Sequence, residues 1–92
     1  MSEVIKKCNH RELAHLVKAN DKFYYIDSTH TFDNGYETMV FGVETDNIDN
    51  FDTDSDVDWS GVFSQTYQNE AIMEMKHLYM IKNLEEFLGK VE

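Results

Sequence analysis

The stretch "KFYYIDSTHTFDNGYETMVFGVE" (residues 22–44) constrains the fold more than any other part of the chain. Two aromatic and β-branched runs, 22–28 and 36–44, flank the tripeptide Asp33-Asn34-Gly35. Such runs favour a pleated, half-buried backbone. Asn-Gly supplies the positive φ angles of a tight hairpin turn. The segment therefore predicts an antiparallel hairpin, with His30, Thr31 and Phe32 carrying the first strand toward the turn.

A third strand is expected at 60–67, "SGVFSQTY", pairing with 36–44. A long helix follows at about 70–88, with Asn69 as its cap and Gly89 just past its end. Met73, His77, Met80, Ile81, Leu84, Phe87 and Leu88 form one apolar stripe on it. Ala71, Ile72, Met75, Leu78 and Tyr79 form a second, which packs on another helix or makes a dimer or partner surface. A first helix is expected at 10–19, capped by Asn9 with Glu12 three residues on, burying Leu13, Leu16 and Val17 and stopping at "AND". Residues 2–8 either extend that helix or form a short edge strand. The expectation is a single α+β domain over 1–92, an α-β-β-β-α arrangement of a small three-stranded antiparallel sheet with helices on one face. With 41% hydrophobic and 13% aromatic residues the core is modest, so stability at this length is marginal.

Charge is divided unevenly. The net charge is −10, and all eight Lys and Arg residues lie at or before Lys22 or at or after Lys76. From Phe23 to Met75 there are twelve acids and no basic side chain but His30. The run 44–58, "ETDNIDNFDTDSDVD", holds seven of them. A surface this negative repels nucleic acid and anionic lipid and attracts cations and basic protein grooves. The single Cys8 excludes an intrachain disulfide and fits a reducing compartment. The N-terminus shows no apolar core of signal-peptide length, and no stretch approaches the roughly 18 apolar residues of a membrane span. The expected location is the cytoplasm of a bacterial host cell.

Chemistry is sparse. Counting from Asp52, the positions where a calcium loop needs its turn glycine and bidentate acid are Val57 and Phe63; counting from Asp54 they are Trp59 and Gln65. His10, His15, His30 and His77 lack zinc spacing. His10 and His15 read as surface residues and His77 as a partly buried core histidine. Cys8, beside Lys6 and Lys7, is the one nucleophile candidate, and lone cysteines near an N-terminus are mostly incidental. No metal, cofactor or catalytic constellation is expected. The acids remain as a charge array. In an extended segment Asp52, Asp54, Asp56 and Asp58 would line one edge about 6.6 Å apart, a field similar to that of successive phosphates. Trp59 would be an apolar anchor.

"FYYIDSTHTFDNGYETMVF" followed by "DWSGVFSQTYQNEAIMEMKHLYMI" resembles small proteins of bacteriophages and prophages of Gram-positive bacteria that carry an "ETMVF" strand after a turn. Glu37, Thr38, Met39, Val40 and Phe41 match that motif. Tyr67 and His77 fall where the later features would, although Lys76 replaces the expected glycine. The likeness spans residues 22–82. It implies a phage origin, and by analogy an acidic anti-CRISPR-type inhibitor. On that reading Glu44, Asp46, Asp49, Asp52, Asp54, Asp56, Asp58 and Trp59 bind a host nucleic-acid-binding protein, such as an RNA-guided DNA nuclease, by mimicking DNA in its groove. The alternative is an accessory protein that forms a homodimer through its C-terminal helix, with the acids only solubilising.

Overall fold

A computed structural model describes residues 2–8, 13–33, 35–45 and 47–91. It contains five strands: β1 Glu3–Lys7, β2 Ala14–Ala19, β3 Lys22–Thr31, β4 Gly35–Val43 and β5 Val57–Tyr67. They form one antiparallel sheet in chain order, β1-β2-β3-β4-β5. A 3-10 turn, Ile48–Asn50, and a four-residue helix α1, Thr53–Asp56, lie between β4 and β5. Helices α2, Glu70–Lys82, and α3, Leu84–Val91, follow β5.

The expected three-stranded sheet is thus corrected to five strands. The hairpin forms as its sequence requires: Phe23 pairs with Val43 and Thr31 with Gly35, and Gly35 takes the left-handed φ of +72°. Strand β5 pairs with β4 as expected. The error is at the N-terminal end. Residues 14–19, assigned to a first helix, are strand β2, while Asn9, His10, Arg11 and Glu12 lie outside the described residues. Leu13, Leu16 and Val17 fit a helical stripe only by coincidence. Ala14, His15, Leu16, Val17 and Ala19 are all buried, because β2 is covered on both faces. Such a strand reads as a continuous apolar run and carries no alternation to identify it. The "AND" stop is a second hairpin turn: Ala19 pairs with Lys22, and Asn20 and Asp21 have φ of +53° and +64°, the two positive values that such a turn needs. Residues 2–8 resolve as an edge strand.

Each face of the sheet has its own core. On one side Val17, Ala19, Ile26 and Val40 pack against Met80, Ile81, Leu84 and Leu88 of α2 and α3. On the other, Ala14, Leu16, Tyr25, Phe41 and Val57 form a second cluster with Cys8, closed by Ile48 and Phe51 from the acidic segment. Asn69 caps α2 as expected, its side chain accepting from the Ile72 N–H at 2.9 Å. The single long helix is instead two, divided at Asn83. Gly89, expected beyond the helix end, lies within α3. Residue Ser2 staples the joint: its backbone N–H reaches the Lys82 carbonyl at 3.2 Å, and its hydroxyl donates to Glu85 at 2.7 Å and accepts from the Leu84 N–H.

Tyr25 is fully buried at the centre of the second core, whereas Phe32 in the β3–β4 turn is wholly exposed. Truncating a large aromatic core residue costs about 3–5 kcal/mol, a large part of the roughly 5–15 kcal/mol available to a domain. Tyr25→Ala is therefore expected to unfold at much lower urea concentration than the wild type, and Phe32→Ser at nearly the same concentration, both followed by circular dichroism.

Candidate functional site

The acidic segment is attached to the sheet by aromatic rings. Tyr25 and Phe41 are cross-strand partners on β3 and β4, with ring centroids 6.3 Å apart. Phe51 comes down on Tyr25 at 6.2 Å. Trp59 stands edge-on to both, 4.9 Å from Phe41 and 5.9 Å from Tyr25. These are the separations at which edge-to-face pairs are favourable. Lys6 of β1 places its ammonium 5.6 Å from the Phe51 ring centre. Trp59 owes its position to a bulge. Val40 pairs with Phe63 and Gly42 with Asp58, so the chain loops out over 59–62 opposite Phe41. Gly61 adopts φ of +85° there and lies against the Phe41 ring. Trp59 nevertheless stays 52% exposed. A half-exposed tryptophan on a fixed aromatic base is a surface anchor of the kind found at the centre of protein interfaces.

The acids above this pedestal are ordered by hydrogen bonds to their own backbone. Asn47 caps the 3-10 turn by accepting from the Asp49 N–H at 3.1 Å. Asp52 caps α1, accepting from the Asp54 N–H at 2.9 Å, and the Asp56 carboxylate accepts from the Asp52 N–H at 2.9 Å. The two aspartates thus cap reciprocally. The Glu44 N–H donates to the Asp56 carbonyl at 2.9 Å, closing the loop at its base. The Asp58 carboxylate accepts from the Ser60 hydroxyl at 2.7 Å and its N–H at 3.1 Å. Those two bonds hold its carboxyl below the usual range.

The extended row expected for Asp52, Asp54, Asp56 and Asp58 does not exist. Residues 53–56 make a helical turn, so the four carboxylates do not alternate along an edge. Aspartate competes for nearby backbone N–H groups, and capping prevails over extension here. Glu44, Asp49, Asp52, Asp54 and Asp58 are exposed and Asp56 is half-buried. Asp46 lies outside the described residues. Beside the lobe runs an open groove of about 660 Å³, lined among others by Asp21, Lys22, Tyr24, Glu44, Asp58 and Val62. It draws carboxylates from the β2–β3 turn, the end of β4 and the start of β5.

Sequence reasoning missed a buried polar chain on the helix face. His15 Nδ1 lies 2.8 Å from His77 Nε2, His77 Nδ1 lies 2.6 Å from Ser28 Oγ, and Ser28 Oγ lies 2.5 Å from Thr38 Oγ1. His77 and Thr38 are fully buried, and His15, expected at the surface, is buried too. Burial, and then the neighbouring His15, lower the His77 pKa to about 4. Burial, and then Lys7, lower that of His15. The clue was available only through register: His15 becomes an inward residue once β2 is a strand.

The remaining chemical candidates weaken. Cys8 is buried, and burial pushes its thiol up despite the opposing effect of Lys6, which makes it a poor nucleophile. Among the described residues no group of three His, Cys, Asp or Glu could hold a metal ion. No described helix is long and apolar enough to cross a membrane. No protein-family model matches the chain, and neither a curated protein nor a solved structure matches it.

Phe51 is the residue that ties the lobe to the sheet. Phe51→Ala is expected to cost about 1–2 kcal/mol of stability, as expected for a partly buried aromatic. It should also raise amide exchange selectively over residues 47–56. Unchanged exchange there would mean that the capping bonds alone fix the lobe.

Proposed function

We propose that the chain is a non-enzymatic binding protein whose acidic lobe enters a basic groove built for a nucleic-acid backbone. The observation that carries this reading is Trp59. It is held edge-on by Tyr25 and Phe41, half exposed, and adjoins Asp58 in a lobe whose other exposed acids include Glu44, Asp49, Asp52 and Asp54. The lobe supplies a field that steers association with a cationic surface, and the tryptophan supplies apolar area that a merely solubilising loop has no need to present. The groove lined by Asp21, Glu44 and Asp58 beside Tyr24 suits a lysine or arginine side chain of such a partner, since an aromatic wall favours a cation. With the resemblance to phage proteins, the partner class is a host defence enzyme that binds nucleic acid, of the RNA-guided DNA nuclease type. The mimicry is one of charge density, because the capped helical turn replaces the evenly spaced row.

The test is displacement of a labelled DNA duplex from an RNA-guided nuclease, followed by fluorescence anisotropy. The wild-type chain is expected to compete with DNA and to lose potency as salt rises. Trp59→Ala should weaken competition by about 30-fold, the effect of losing a central aromatic anchor. Replacement of Asp52, Asp54, Asp56 and Asp58 by Asn should abolish competition while keeping the fold, because asparagine also caps helices. Equal potency of the asparagine variant would refute the surface.

A second reading is favoured by the outer face of α2. Met75, Leu78 and Tyr79 are 61%, 50% and 47% exposed, because the helix expected to cover that stripe is a strand instead. They suit a homodimer that keeps the acidic lobes on the far side of each sheet. Light scattering decides it: on this reading the wild type is a dimer and Leu78→Glu a monomer. A monomeric wild type excludes it.

A further inference from the structure

We propose that His15 and His77 form an acid-sensitive latch that holds α2 on the sheet and releases it when both rings carry a proton. Each contact along His15–His77–Ser28–Thr38 has room for one hydrogen. With both rings neutral the chain is satisfied in either of two senses. In one, His77 Nε2 donates to His15 Nδ1, while Ser28 donates to His77 and Thr38 to Ser28. In the other, His15 Nδ1 donates to His77 Nε2, His77 Nδ1 donates to Ser28, and Ser28 donates to Thr38. One added proton on His77 can still be accommodated, with both its nitrogens donating. A second proton, on His15, cannot: two N–H groups would then face one another across the 2.8 Å contact. The pair must separate, and it joins β2 to the middle of α2.

Among the described residues, the surroundings offer little to offset the charge. From β1, Lys7 is the register partner of His15 and repels a proton there. Strand β3 contributes the hydroxyl of Ser28, and further along it His30, whose ring lies against Tyr36 of β4. Strand β4 also contributes Thr38, which is bonded to Tyr67 of β5. Asp27 and Glu37 alternate to the opposite face of the sheet. On α2 itself Glu70, Glu74 and Lys76 are exposed, and on α3 Glu85 is engaged with Ser2.

The sign follows from the two ring values. Both groups ordinarily titrate near 6.5, and both are lowered in the fold, His77 to about 4. Their contribution is complete above about pH 6.5 and is lost as pH falls toward 4. The acidic lobe, attached to Tyr25 on the other face, has no part in this chain.

Amide hydrogen exchange at pH 7.5 and pH 5.0, corrected for intrinsic rates, tests the latch. Protection of Met73–Ile81 is expected to fall by at least about 30-fold, the factor for His77 alone titrating at about 4 folded and 6.5 released. Tyr25, Ile26 and Val40 amides should change by less than about threefold, because the sheet persists as a separate opening unit. His15→Gln, whose amide oxygen can accept from a protonated His77, should reduce the α2 response without removing it, and the exposed His30→Gln should leave it as in the wild type. Ring-nitrogen NMR of the wild type gives an independent check that needs no variant: two coupled titration steps below 6.5 are expected. The latch is overturned if α2 protection is insensitive to pH, if helix and sheet lose protection together, or if both rings titrate in one step near 6.5.

Discussion

Coverage of both faces of strands β3 and β4 is the constraint on which the rest of the molecule depends. A chain of 92 residues has little core to spare. This one divides it into two layers against a single sheet. Ile26 and Val40 face the helices, and Tyr25 and Phe41 face the acidic segment. The acidic run is therefore more than a solvated connector. Its apolar residues, Ile48 and Phe51, are the lid of the second core, and its carboxylates point outward because those side chains point in.

The two faces of the sheet also carry different polar chemistry. On the helix side, histidines and hydroxyls are buried and bonded to one another in a chain that ends at Tyr67. On the lobe side, Glu37 is buried as well, while the Asp52, Asp56 and Asp58 carboxylates of the acidic segment accept from local backbone N–H groups. A buried ionisable pair couples folding to pH, and an exposed carboxylate array couples association to salt. The charges are divided along the chain rather than between the faces: lysines lie on β1, β2, the start of β3 and the helices, while seven of the 18 acids fall in residues 44–58.

What could be read from the sequence follows from how local each signal is. The β3–β4 hairpin was legible because Gly35 and the flanking aromatics specify it within a few residues. The pairing of β5 with β4 and the Asn69 cap were legible for similar reasons. Strand β2 was not, because burial on both faces removes the alternation that separates a strand from a helix over six residues. That single misreading concealed the five-stranded sheet, placed His15 at the surface and gave the outer stripe of α2 a covering helix that does not exist. The break at Asn83 was hidden because apolar residues continue in phase through it. In the acidic run, the acids were identified but their geometry was not. The capping by Asp52 and Asp56 depends on where a four-residue helix starts, and the bulge that presents Trp59 depends on the register across from Phe41.

The central claim is that residues 47–58 form a fixed surface seated on Tyr25 and Phe41. Backbone ¹⁵N relaxation over that segment tests it most directly. The account predicts order parameters close to those of β4, about 0.85, as for rigid backbone. Values below about 0.6 across the segment, the range of flexible chain, would contradict it.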